Sequence, residues 1–181
     1  CMASSNDGFT YLGLTFQSHI IADYELYNSS GGSDILISKI NDEGILWNVL
    51  GGGTDDEIIQ DCILSQTNLR FVGSYFGAPT FGSFTLSNAQ WVDIFDVSLN
   101  ENGEWLSARS YGGSGKDSAS SIVETPQGET YFTGTTSASI TFGSTTLADL
   151  SPGDDSDVFL ALQKADGSWD WSINAGGSGY D

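Results

Sequence analysis

Seven aspartates lie in glycine-rich or acidic segments where carboxylate oxygens could bind a hard cation. Ca²⁺ takes six to eight oxygen ligands, and GGxGxD matches the first six positions of the calcium-binding nonapeptide GGxGxDxUx. The segments are GGGTDD (51–56), GGSGKD (112–117), GGSGYD (176–181) and the acidic SPGDDSD (151–157). The candidate cation ligands are Asp55, Asp56, Asp117, Asp154, Asp155, Asp157 and Asp181.

The spacing of these segments leaves a second interpretation open. Calcium-binding β-rolls stack copies that are nine residues apart, whereas GGGTDD and GGSGKD start 61 residues apart here. The glycines could therefore form a sharp turn that an aspartate caps. SPGDDSD (151–157) lacks the glycine and the distant bidentate glutamate of an EF-hand loop, so it could be a solvated acidic turn. The expected cofactor is calcium or none.

The sequence contains no recognisable catalytic pattern. Its single histidine, His19, has no Ser–Asp pattern nearby, and neither a phosphate-binding loop, a Cys/His metal cluster nor a nucleophile elbow occurs. A hydrolase that uses paired carboxylates stays a third alternative, because such pairs depend on geometry rather than spacing. We therefore predict that the protein is not an enzyme.

Charge and composition restrict the class of protein. The 181 residues carry 24 Asp and Glu against 5 Lys and Arg, a formal net charge of −19. Such a charge repels phosphate backbones and anionic membrane surfaces, so we expect no nucleic-acid partner. No apolar run approaches the roughly 20 residues of a transmembrane helix. With 39% hydrophobic and 12% aromatic residues the chain can form a core, and its acidity suits a saline extracellular setting.

The chain has two cysteines, Cys1 and Cys62. A cysteine at position 1 is where a mature bacterial lipoprotein carries its lipid, although CMASS (1–5) aligns with DCILS (61–65) inside the repeat described below. Cys62 lies in an apolar segment and is expected to be a buried small hydrophobe. We expect the distance between neighbouring repeats to be too long for a Cys1–Cys62 disulfide.

Four markers recur three times in the same order, about sixty residues apart. Besides the GGxGxD-like segments, these are an aromatic-x-Gly triplet, an FGxxxL connection and an aspartate that opens an apolar strand. The triplets begin at Tyr11, Phe71 and Phe132, the connections are FGSFTL (81–86), FGSTTL (142–147) and a degenerate IADYEL (21–26), and the aspartates are Asp34, Asp93 and Asp157. The predicted repeats are 1–56, 57–117 and 118–181.

Each repeat has the pattern of an antiparallel meander of about four strands, so the predicted fold class is all-β. Hairpin turns are indicated at Glu43-Gly44, Asn102-Gly103, Gln127-Gly128 and Asp166-Gly167. Residues that share a repeat position should be equally buried, which predicts a core containing the three triplet aromatics with Ile35, Ile94 and Val158. The tryptophans are expected to pack between repeats rather than to stack on sugar rings.

Taken together, the markers resemble the SBBP family of bacterial β-propeller repeats. That pattern combines GGxGxD, an aromatic-x-Gly strand, FGxxxL, a D-[IVA]-[FL] strand and G-x-x-W; Trp47, Trp105, Trp169 and Trp171 lie in the last strand. The resemblance covers almost the whole chain and implies one propeller blade per repeat and an extracytoplasmic location. It implies no single shared activity.

Three blades are fewer than the four to eight that usually close a propeller, and the chain starts and stops out of phase with its repeat. We expect a fragment of a longer propeller, or copies that self-assemble head to tail or by strand completion into rings or filaments. The leading prediction is a non-enzymatic structural or interaction module, secreted or on the bacterial cell surface, whose partner is itself or further blades. The alternative is a calcium-dependent module that binds a polysaccharide or protein on an acidic loop face.

Overall fold

The computed structural model describes residues 1–65, 68–150 and 155–178. The regular secondary structure of these residues consists of β-strands alone, and all strand pairs are antiparallel. This confirms the predicted all-β class. Three four-stranded sheets and two short hairpins account for these strands. A search of the same residues finds no helix with the length and apolarity needed to cross a membrane.

The first sheet has the strand order β1-β2-β3-β4. Its strands are β1 (Met2–Ser4), β2 (Thr10–Ala22), β3 (Glu25–Asn41) and β4 (Gly44–Gly51). The distal part of β2 and β3 forms a hairpin whose turn residues, Asp23 and Tyr24, have positive φ values of 50° and 63°. IADYEL (21–26), expected to match the FGxxxL connections, is instead the tip of this hairpin, because the strands on both sides of it continue to pair.

The second sheet follows along the chain and has the order β10-β9-β6-β5. A short hairpin, β7 and β8, lies in the connection between its two central strands. The strands are β5 (Glu57–Leu64), β6 (Leu69–Gly77), β7 (Thr80–Phe81), β8 (Phe84–Thr85), β9 (Ala89–Leu99) and β10 (Trp105–Tyr111).

The third sheet repeats this arrangement with the order β11-β12-β15-β16 and a β13–β14 hairpin in the corresponding connection. Its strands are β11 (Asp117–Glu124), β12 (Thr130–Thr136), β13 (Ile140–Phe142), β14 (Thr145–Leu147), β15 (Asp157–Gln163) and β16 (Trp169–Ala175). Three of the four predicted turns are confirmed, and the one predicted at Glu43-Gly44 lies one residue earlier, at Asp42-Glu43, since Asn41 is opposite Gly44. In two of the confirmed turns Gly103 and Gly167 have φ values of 82° and 83°, a conformation that few other residues adopt without strain.

Two hydrophobic cores lie between consecutive sheets. Strand β5 packs against β1, β2 and β3, and β11 packs against β5, β6 and β9. The first core includes Tyr11 and Phe71, and the second includes Phe132, so all three triplet aromatics are buried as predicted. Trp105 and Trp169 pack against the first and second cores respectively, also as predicted.

The register of the first sheet differs from that of the other two by one residue. Tyr75 is opposite Asp93 and Thr136 is opposite Asp157, whereas Phe16 is opposite Asp34. Because side chains alternate between the faces of a strand, this shift places Tyr11 on the same face as Ile35, toward the second sheet. Phe71 and Phe132 instead face the sheet that precedes their own.

The prediction that Val158 is a core residue was wrong. Ile35 and Ile94 are 0% and 1% exposed because the next sheet covers them, but Val158 is 37% exposed. Val158 lies on the outer face of the third sheet, and no further sheet of the described residues covers that face.

The expectation against a Cys1–Cys62 disulfide was also wrong. The two residues form a disulfide with a Cα–Cα distance of 5.8 Å, within the usual range for this bond. Cys1 is opposite Gly13 at the edge of the first sheet, and its ammonium group donates to the Gly13 carbonyl oxygen at 3.1 Å. Since β5 packs directly on this sheet, the two sulfurs come together. A sulfur in this bond carries no thioether-linked lipid.

Candidate functional site

The glycine-rich segments lie beside the connections that contain the short hairpins. Each segment and its neighbouring connection therefore lie at the same edge of the sheets. Gly52 exchanges two backbone hydrogen bonds with Thr80, of 3.1 and 2.9 Å, and Gly113 forms the corresponding bridge with Ile140. This arrangement repeats at both junctions between sheets. The first two glycine-rich segments therefore each connect one sheet to the next and also contact the hairpin of the later sheet.

The predicted cation ligands of the first glycine-rich segment make separate local contacts. Asp55 accepts a 3.1 Å hydrogen bond from the Thr54 hydroxyl, and Asp56 accepts a 2.8 Å bond from the Ser33 amide. One bond joins two side chains of the segment itself, and the other joins the segment to the backbone of strand β3.

The remaining predicted ligands lie at other places in the fold. Asp117 and Asp157 are buried at the starts of β11 and β15, and Asp157 accepts a 2.8 Å bond from the Leu150 amide. Asp155 is half-buried. Asp154 and Asp181 lie outside the described residues. Within the described ranges no three His, Cys, Asp or Glu side chains are grouped so that they could hold a metal.

A pair of facing carboxylates occurs at each junction between sheets. Glu57, the first residue of β5, accepts a 2.7 Å bond from the Gly53 amide, and Asp117, the first residue of β11, accepts a 2.9 Å bond from the Gly113 amide. Glu57 is paired with Asp34 of the preceding sheet, and Asp117 with Asp93. We call these the junction pairs.

Glu57 is a site residue that the sequence comparison missed. Aligning GGGTDD (51–56) with GGSGKD (112–117) matched Asp56 to Asp117, but the hydrogen bonds match Glu57 to Asp117. Aligning from Gly52, the second glycine, would have placed Glu57 correctly. Asp34 and Asp93 were recognised as repeat markers and not as ligand candidates.

Burial favours the protonated form of these acids. It raises the pKa of Glu57 to about 8; the Gly53 amide opposes this shift, and the neighbouring Asp34 carboxylate adds to it. Burial raises the pKa of Asp117 to about 6 against hydrogen bonds from Thr136 and Gly113, and it raises the pKa of Asp93 to about 6. Two facing acids thus share each junction, and no positively charged side chain contributes to these pKa shifts.

The outer face of the third sheet is the second notable surface. The register places Tyr131, Thr133 and Thr135 of β12, three residues of β15 and three of β16 on this face. The side chains from β15 and β16 are Val158, Leu160, Leu162, Trp171, Ile173 and Ala175. Ile173 is 57% exposed, and Trp171 contacts Tyr131 edge-on at 6.1 Å between ring centroids. None of these side chains is charged, in a chain whose net charge is −19.

The corresponding face of the first sheet is covered. Trp47 and Trp171 occupy equivalent places in their sheets. Trp47 is opposite Lys39 and Trp171 is opposite Leu162. Lys39 and Leu162 in turn each lie five positions after the aspartate that opens their strand. The Trp47 indole N–H donates to the Glu101 carbonyl oxygen at 3.1 Å, in the β9–β10 turn of the second sheet. The second sheet thus covers Trp47.

Comparison with known proteins adds no relative to these observations. The chain matches no protein-family model and no curated protein. The resemblance to SBBP repeats therefore rests on the motifs of this sequence.

Proposed function

We propose that this protein is a non-enzymatic extracellular structural module that self-assembles head to tail. In this proposal each four-stranded sheet is a propeller-type blade, as the resemblance to SBBP repeats implies. The outer face of the third sheet packs on the outer face of the first sheet of another copy, which continues the array. Heterologous contacts of this kind produce a closed ring or an open filament.

The observation that carries this proposal is the uncharged apolar character of the third sheet's outer face. In the first two sheets the equivalent positions, occupied by Ile35 and Ile94, are buried by the following sheet, whereas Val158 is 37% exposed. Depletion of charge is typical of the centre of an interface. A copy that packs here would bury Trp171 as the second sheet buries Trp47.

The outer face of the first sheet offers a compatible surface. Met2, Leu12, Leu14 and Leu50 share this face by register, and Met2 and Leu50 are 71% and 39% exposed. Two such faces exclude water when they meet, and burial of apolar area contributes roughly 25 cal/mol per Å². The repulsion between copies of charge −19 opposes this, so assembly should strengthen with salt.

The disulfide supports an extracellular location, because disulfides persist mainly in oxidising compartments. The calcium-dependent binding of a polysaccharide or protein by the loop acids has no comparable support, since the described loop acids make separate local contacts.

Molar mass by light scattering, measured across protein and salt concentrations, tests this proposal. We expect the mass to rise from 19.2 kDa to whole-number multiples as salt increases. Ile173→Glu, which places a charge on the outer face of the third sheet, should keep the protein at the monomer mass. Ile21→Glu is the matched control, since Ile21 is 69% exposed on the β2–β3 hairpin. A wild-type protein that stays monomeric at high concentration and high salt would overturn the proposal.

A further inference from the structure

The junction pairs place acids at two similar positions, where three of the four side chains are fully buried and the fourth, Asp93, is half-buried. Glu57 and Asp117 are fully buried at 0% exposure, and Asp34 is 3% exposed. Burying an ionised carboxylate costs several kcal/mol unless an opposite charge or a full set of hydrogen bonds compensates it. Each junction must therefore either keep its acids protonated or hold a group that compensates their charge.

The two carboxylates of the first junction lie close together over Gly52. A methyl group on Gly52 would lie 2.5 Å from Asp34 Oδ1 and 2.8 Å from Glu57 Oε2, so the two oxygens are no farther apart than the sum of these distances. At the second junction a methyl group on Gly112 would overlap the carboxylate of one acid, Asp93. The absence of a side chain at these glycines leaves room for the acids.

The junction pairs contain oxygens that lack a hydrogen-bond partner. Within the described residues five buried side-chain N or O atoms have none, and four of them are carboxylate oxygens of the junction pairs. These are Asp34 Oδ1, Glu57 Oε1, Asp93 Oδ1 and Asp117 Oδ1. Unpartnered polar atoms are scarce in protein interiors, so their concentration at two equivalent places indicates a ligand.

Basic side chains of the described residues do not compensate these acids. The ion pairs found there are Arg70–Asp96 and Lys164–Asp170, which involve other carboxylates. The Lys39 ammonium lies over the rings of Phe9 and Tyr11 and donates to the Glu101 carbonyl oxygen. The charge of an ionised junction pair must therefore be compensated either by a bound cation or by a proton that the two acids share.

We propose that each junction pair binds one hard divalent cation, Ca²⁺, which joins consecutive sheets. Asp34 with Glu57 supplies the carboxylate ligands at the first junction, and Asp93 with Asp117 supplies them at the second. Carboxylate oxygens with coordinated water are suitable ligands for such a cation. Of the seven predicted cation ligands only Asp117 belongs to these sites, which do not depend on assembly between copies.

Calcium binding and thermal unfolding of the full chain test this inference. After treatment with EDTA, equilibrium dialysis against Ca²⁺ at about 1 mM, the range of extracellular sites, should give two ions per chain. Ca²⁺ should raise the Tm by several degrees, and KCl of equal ionic strength should not, because only binding to the native state stabilises it specifically.

Single substitutions locate the ions. Asp117→Asn should reduce the stoichiometry from two to one, and so should Glu57→Gln, which keeps the side-chain shape at the other junction. Asp155→Asn, the matched loop control, should leave two ions. If one variant fails to fold, the other still decides the assignment. Loss of calcium in Asp155→Asn alone would overturn the inference.

A proton shared between the two acids is the alternative to a cation for compensating the charge of a junction pair. In that case calcium would have no effect, and stability in EDTA would fall as the pH rises from about 5 to about 8, because the buried acids would lose protons that the native state favours. That outcome would overturn the inference, and so would a Tm that responds equally to CaCl₂ and KCl.

Discussion

Arg70 donates hydrogen bonds of 2.7 and 2.6 Å to the two carboxylate oxygens of Asp96, across the paired strands β6 and β9. The same guanidinium reaches the third sheet, where it donates to Thr130 Oγ1 at 3.2 Å and to Gln163 Oε1 at 2.7 Å. It also lies 4.8 Å from the centroid of the Phe132 ring. One cationic side chain therefore joins the second and third sheets.

Arg70→Ala should destabilise the protein by about 3–5 kcal/mol, because it leaves the Asp96 carboxylate buried without its cation. Urea unfolding followed by tryptophan fluorescence measures the change. Arg109→Ala, at an exposed arginine on the neighbouring strand β10, should change stability by less than about 0.5 kcal/mol. The double variant Arg70→Met/Asp96→Leu should recover much of the loss. Equal unfolding midpoints for wild type and Arg70→Ala would contradict this role.

Removing the disulfide should cost about 4 kcal/mol, because Cys1 and Cys62 are 61 positions apart and the bond restricts a long loop in the unfolded chain. We expect a reducing agent to lower the urea midpoint of the wild type to that of Cys1→Ser/Cys62→Ser. The double variant itself should not respond to the agent. A wild-type midpoint that is insensitive to reduction would show that the bond does not stabilise the fold.

Gly134→Ala should destabilise the protein by about 1–3 kcal/mol through overpacking. A methyl group at this position of the aromatic-x-Gly triplet would lie 2.9 Å from the Phe159 ring and would also overlap the Ser118 carbonyl oxygen. Gly177→Ala is the control, since no atom of the described residues lies within 4 Å of a methyl group there. Thermal unfolding of both variants gives the comparison, and equal Tm values would refute the steric argument.

Phe142→Ala should cost about 3–5 kcal/mol, the range for truncating a buried aromatic side chain. Phe142 is 1% exposed, and its ring lies 5.1 Å from Phe159 and 4.8 Å from Trp169 between centroids. Phe76→Ala, at a side chain that is 40% exposed, should cost distinctly less. Denaturant unfolding measures both changes. A small effect at Phe142 would mean that the β13–β14 hairpin is not part of the cooperative core.

Local patterns predicted the strands, the turns and much of the core. Alternating apolar residues and glycine-containing turns specify short antiparallel strands with little contribution from distant residues. The burial of Tyr11, Phe71 and Phe132 followed from their common repeat position. The same reasoning was wrong for Val158. Burial at its position requires a following sheet, and the repeat itself does not supply that sheet.

The candidate sites were less predictable, because each joins residues from different repeats. Glu57 meets Asp34 only after two sheets stack, and the apparent alignment of the glycine-rich segments pointed to Asp56 instead. The disulfide likewise depends on how closely β5 packs on the first sheet, a distance that sequence spacing does not give.

The sequence by itself determined an all-β chain of three similar repeats, since hydrophobic alternation and turn chemistry act over a few residues. Only the tertiary structure decided which faces of the sheets are covered, which acids face each other and which cysteines bond. Those features depend on the register and stacking of whole sheets. A one-residue shift in register turned Tyr11 toward the second sheet, and no local pattern in β2 specifies that shift.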